Sequence, residues 1–72
     1  SRMQLYRKIK MLTNYSPNEY VRVIRLRKAK ELLTTTTLSI TEICYMTGFS
    51  SPSYFAKCFK SFTGELPSAY RS

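Results

Sequence analysis

Near the C-terminal end of the chain, Ser53, Ala56, Lys57 and Lys60 fall on one side of a helix turning about 100° per residue, opposite Phe55, Cys58, Phe59 and Phe62. The outward set suits contact rather than catalysis. Small side chains let a helix approach base edges, the Lys57 ammonium suits guanine acceptors or phosphate, and Lys60 is better placed for a nucleic-acid backbone. Ser51, at the start of the same helix, joins this set. Met3, Tyr6, Arg7 and Lys10 form a second such face near the N-terminus. There the planar fork of Arg7 offers guanine two hydrogen bonds where a lysine offers a point charge. The plainer reading of every one of these cations is a solvated basic exterior. It fits Lys10 and Lys60 better than Arg7 and Lys57, which stand central on faces opposite a packed stripe.

Other chemistries lack their residues. There is no His and no Asp, and the four Glu are scattered, so neither a nucleophile triad nor a carboxylate pair can be assembled. Gly48 and Gly64 are too far apart for a phosphate loop. Cys44 and Cys58 match no redox or zinc spacing and are expected as reduced core residues. No enzyme, cofactor or metal is therefore expected. Twelve Lys and Arg against four Glu leave a net charge of +8, which suits a polyanion. No apolar run approaches the roughly 18 residues that span a bilayer, and no signal peptide is recognisable, so a cytoplasmic location is expected.

Positioning those faces requires helices, and their starts are written in the caps. Ser16-Pro17-Asn18-Glu19 and Ser39-Ile40-Thr41-Glu42 are capping boxes, and Ser51-Pro52 is a third start. They predict helices over 17–33, 40–47 and 52–62, with Thr34–Thr37 as connector, Gly48 and Gly64 as stops, and a short last turn over 67–71. Residues 1–12 carry Leu5, Ile9 and Leu12 at helical spacing. The predicted fold is all-α. A short helix, a turn holding Gly48 and a second helix make a helix-turn-helix, whose second helix enters a major groove. Phe49, Tyr54, Phe55, Phe59 and Phe62 are expected in the core rather than as a stacking platform for single strands.

Laying the start of the chain on its end reveals an imperfect repeat. Leu5, Arg7, Ile9, Lys10, Leu12 and Thr13 fall on Phe55, Lys57, Phe59, Lys60, Phe62 and Thr63. Asn14, Pro17 and Tyr20 then fall on Gly64, Pro67 and Tyr70. The shared helical period explains the first group, but not the matching stop, proline and tyrosine. The intervening helix turns Tyr20, Val21 and Ile24 to one side and Leu26, Ala29, Leu32 and Leu33 nearly to the other, as a linker packing on two units would. Arg22, Arg25, Arg27, Lys28 and Lys30 spread around it, unlike the segregated basic face of a membrane-surface helix.

Gln4-Leu5-Tyr6-Arg7-Lys8, Ser16 to Tyr20, Ala29-Lys30-Glu31-Leu32-Leu33, Ser39 to Ile43, Gly48-Phe49-Ser50 and Pro67-Ser68-Ala69-Tyr70-Arg71 together resemble the AraC/XylS family of transcription regulators over the whole chain. The resemblance implies a tandem, homeodomain-like helix-turn-helix domain that begins inside the first recognition helix. On that reading residues 1–16 are the remnant of the first unit, 17–37 the linker helix and connector, and 38–72 a complete second unit. Base-reading positions carry over to Met3, Tyr6 and Arg7 and to Ser53, Ala56 and Lys57, on helices 2–12 and 52–62 lying in successive major grooves. The implied partner is double-stranded DNA, with RNA polymerase a further candidate. The sequence also resembles output modules of two-component and hybrid sensor regulators. Leu66 departs from the family, which usually carries a capping Ser there, so the last turn is expected to be weakly held.

Two other readings stay open at this stage. A cationic membrane-binding helix has the charge but not the caps and split stripes, and a vesicle assay separates it. A protein-interaction module would show no DNA affinity at low salt. If the first unit is incomplete, the stripe of Leu5, Ile9 and Leu12 lacks part of its cover, and the chain should self-associate or fray there.

Overall fold

The computed structural model describes residues 14–72. The expected helix over 1–12, with Met3, Tyr6, Arg7 and Lys10 and the self-association argued from it, lies outside the described residues.

Each expected cap forms. The Ser16 hydroxyl accepts the Glu19 N–H at 3.2 Å, Pro17 takes the first helical turn, and helix α1 runs over Pro17–Thr35. It outlasts its expected end at Leu33. Thr34 and Thr35 stay helical, each donating its hydroxyl to the Glu31 carbonyl, at 3.1 and 2.7 Å. The connector accordingly shifts from the threonine run to residues 36–39. Helix α2 spans Ile40–Met46 behind its Ser39 cap, α3 spans Pro52–Thr63 behind Ser51, and α4 spans Pro67–Arg71. No strand occurs among the described residues, so the fold is all-helical as expected.

One core joins all the described helices. Leu26, Ala29 and Leu33 of α1, Ile43 and Cys44 of α2, Phe49 of the turn, and Phe55, Cys58 and Phe59 of α3 are buried together. Phe62 and Tyr70 pack at its edge. On α1 the second-half stripe of Leu26, Ala29 and Leu33 enters this core, whereas Val21 and Ile24 of the first-half stripe, expected to pack on another unit, are 43% and 49% exposed. Val23, counted on neither stripe in the sequence, is buried. Cys44 and Cys58 are free and buried, and burial raises the Cys44 thiol above its ordinary pKa.

The last helix needs no side-chain cap. Leu66 occupies its cap position without a capping hydrogen bond, yet α4 is held from elsewhere. Tyr70 meets Phe59 edge-on with ring centroids 5.4 Å apart. Arg71 donates to the Leu33 and Thr36 carbonyls at 3.2 and 3.3 Å. Those carbonyls lie at the end of α1, where no intrahelical N–H follows to satisfy them. One guanidinium therefore caps α1 and ties α4 to it.

Three positions matched in the imperfect repeat fall within the described residues. Asn14 and Gly64 both take positive φ, 62° and 89°. Pro17 and Pro67 both open the next helix. Tyr20 and Tyr70 are both half-buried.

Candidate nucleic-acid interface

The turn before α3 is fixed by its backbone. The Gly48 N–H reaches the Tyr45 carbonyl at 3.1 Å and the Phe49 N–H reaches the Cys44 carbonyl at 3.0 Å, a paired closure of the helix end that needs a left-handed residue. Gly48 supplies it with φ 95°. Thr47, buried just before it, donates its hydroxyl to the Ile43 carbonyl at 2.7 Å. The closure sends Phe49 inward, its ring 5.1 Å from that of Phe55. The chain leaves the core at Ser50 and restarts as helix at Ser51, whose hydroxyl accepts the Tyr54 N–H at 3.3 Å.

With both ends set, α3 presents two unlike sides. Phe55 and Phe59 are fully buried, and Ser53, Lys57 and Lys60 are exposed on the opposite side. Ala56 is half-buried beside them. Ser53, Ala56, Lys57 and Lys60 thus make one small, basic, outward face, and half-buried Ser51 stands at the cap before it.

Tyr54 departs from expectation. The sequence reading counted it as core, but it is 50% exposed, its ring 6.2 Å from Phe49 and tilted across the turn. It precedes Phe55 by one residue, which rotates it off the inward stripe by about 100°. Its aromatic type concealed a position that its spacing reveals. Tyr54 and Lys57 share the wall of a groove with Glu19, Arg22 and Val23 of α1, so the outward face of α3 continues onto α1.

The two lysines of α1 are engaged within the fold. Lys28 pairs with Glu31 at 3.4 Å on the surface. Lys30 lies 5.8 Å from the Phe62 ring centroid and 5.9 Å from that of Tyr70. No cluster that could hold a metal ion occurs among the described residues, and no described helix is long and apolar enough to cross a membrane. The arrangement can approach a polyanionic surface with a rigid helix, donate hydrogen bonds from Lys57, Lys60 and the serine hydroxyls, and offer the Tyr54 ring for van der Waals contact.

Comparison with known proteins adds the following. Residues 1–72 match a family model described as a helix-turn-helix domain. The chain is 47% identical over 72 residues to "Histidine kinase P4" of Formosa agariphila, covering all of this chain and 5% of that protein. Among solved structures it is similar to a transcriptional regulator of Chromobacterium violaceum described as containing an AraC-type DNA-binding domain. The TM-score is 0.94 and the identity 34%, over 99% of this chain and 63% of that one. It is similar also to the DNA-binding domain of the global transcriptional factor AdpA, solved with a target DNA. There the TM-score is 0.89 and the identity 32%, over 99% of this chain and 64% of that one.

Proposed function

The chain belongs to the AraC/XylS family of helix-turn-helix transcription regulators, and on that premise we propose that α3 lies in a major groove of double-stranded DNA with Ser53 and Lys57 against base edges. Ala56 keeps the approach close. Ser51 and Lys60, at the two ends of the face, take phosphate oxygens. Tyr54, at its edge, packs on the groove wall. The observation that carries this reading is the sidedness of α3: Phe55 and Phe59 are fully buried while Ser53, Lys57 and Lys60 stand exposed on the other side. A helix so anchored holds its outer residues in fixed register, which direct readout of base edges requires.

Residues 1–16 are assigned to a first unit whose Met3, Tyr6, Arg7 and Lys10 read the neighbouring groove. Residues 17–37 form the linker and connector, and 38–72 the second unit. The shared left-handed backbone of Asn14 and Gly64 supports that division. The likeness to a histidine kinase supports an output module of a two-component or hybrid sensor regulator.

Titration of the chain against a fluorescent duplex, with anionic phospholipid vesicles as the second arm, tests the reading. Binding to duplex should weaken steeply as salt rises, because lysines and arginines release condensed counterions. Vesicle binding without duplex binding, or duplex affinity indifferent to salt, would sink it.

A further inference from the structure

Of the three arginines of α1, two lie beside the interface on α3. Arg22 and Arg25 stand three residues apart, so they share one face of the helix. Both line the cleft between α1 and the turn, with Asn18, Gly48, Ser50 and Tyr54. Arg25 crosses Gly48 so closely that a Cβ there would lie 2.9 Å from its Nε and 3.1 Å from its Cζ. Glycine is required at this position for the left-handed backbone, and its lack of a side chain also lets the guanidinium lie over the turn. Arg22 also lines the adjoining groove, and Tyr54 lies between the two. Arg25, Arg22 and Lys57 consequently border one continuous surface.

Nothing within the described residues neutralises the two arginines. The ion pair there is Lys28–Glu31, and the hydrogen bonds of arginine are those of Arg71. Glu19, which shares the groove of Arg22 and Lys57, lies outside ion-pair distance of either. Like charges a turn apart on a helix repel. The repulsion is relieved by an anion between them, and the planar guanidinium fork matches phosphate oxygens in particular.

We propose that Arg22 and Arg25 form a phosphate-binding site for the DNA backbone flanking the major groove that α3 enters, which makes the linker helix a DNA-contacting element. Phosphodiester oxygens accept from the two guanidinium groups, and Arg25 at the same time holds the turn against α1. This rests on the DNA-binding reading above, which the experiment tests separately.

The affinity of the chain for a mixed-sequence duplex of about three helical turns is measured across a salt series for the wild type, Arg22→Gln, Arg22→Lys and Arg25→Gln. Thermal unfolding of each variant confirms folding. Each Gln variant should bind more weakly on every sequence, and the slope of log affinity on log salt should fall by about 1 per arginine lost. Arg22→Lys should keep the slope. Arg22→Gln is the decisive variant, because Arg25→Gln also removes packing over Gly48. Unchanged affinity and slope in folded Arg22→Gln and Arg25→Gln, with Lys57→Ala still altering base preference, overturns the site and leaves the DNA-binding reading intact. Loss confined to particular base sequences overturns it also, since phosphate contacts carry no sequence preference. A wild type that binds no duplex overturns the reading and the site together.

Discussion

Gly48 and Gly64 both take a left-handed backbone, but their surroundings differ. A Cβ at Gly64 meets nothing within 4 Å, so Gly64→Ala carries the backbone strain alone, about 1–2 kcal/mol. Gly48→Ala adds the displacement of Arg25. Because that displacement moves only the flexible end of an exposed side chain, chemical denaturation should show similar losses for the two variants, and a much larger loss for Gly48→Ala would mean that Arg25 is held rigidly over the turn. Cys44 offers a second test at this scale. It is fully buried, its Sγ faces the Phe49 carbonyl at 3.9 Å, and burial raises its pKa. Because the thiolate is the reactive form, Cys44 should label slowly with a thiol reagent near neutral pH, at a rate set by opening of the fold. Labelling as fast as in the denatured chain would contradict the placement. Residue identities revealed much here and misled once. The cysteines are legible as core from their isolation, whereas the aromatic character of Tyr54 points inward and its helical angle points out.

At the scale of the elements, starts and stops were legible because each is decided within a few residues. Ser16, Ser39 and Ser51 act as caps where the pattern put them. The end of α1 was not, since the threonines after Leu33 look like a connector in sequence and extend the helix by bonding back to its carbonyls. Nor was the hold on α4, because Arg71 reaches carbonyls far upstream in the chain. That contact supports a prediction. Arg71→Gln removes a charged donor from two partly buried carbonyls and should cost about 1–3 kcal/mol, seen as a lower unfolding midpoint with the fold otherwise intact. A midpoint equal to the wild type would show that water satisfies those carbonyls equally well. Ser39→Ala, which removes one local cap, should cost about 1 kcal/mol.

For the whole molecule, the charge of +8 pointed to a polyanion without saying how it is met. The fold divides the cations by task. Lys28 and Lys30 are engaged within the fold, Lys57 and Lys60 face outward from α3, and Arg22 and Arg25 continue that surface onto α1. The spread of charge around α1 hid this division, which depends on how α1 sits against the turn. Periodicity alone gave the face of α3, because its inward and outward residues differ so sharply in type. The measurement that bears most directly on the account is selection of bound duplexes from a randomised pool by the wild type, Lys57→Ala and Lys60→Ala. The wild type should enrich a defined motif. Lys57→Ala should lose preference at one or two base pairs, a discrimination of roughly 1–3 kcal/mol, and Lys60→Ala should keep the motif at lower affinity. Enrichment of no motif by the wild type, or the same motif with equal loss of affinity for both variants, would contradict base reading by α3.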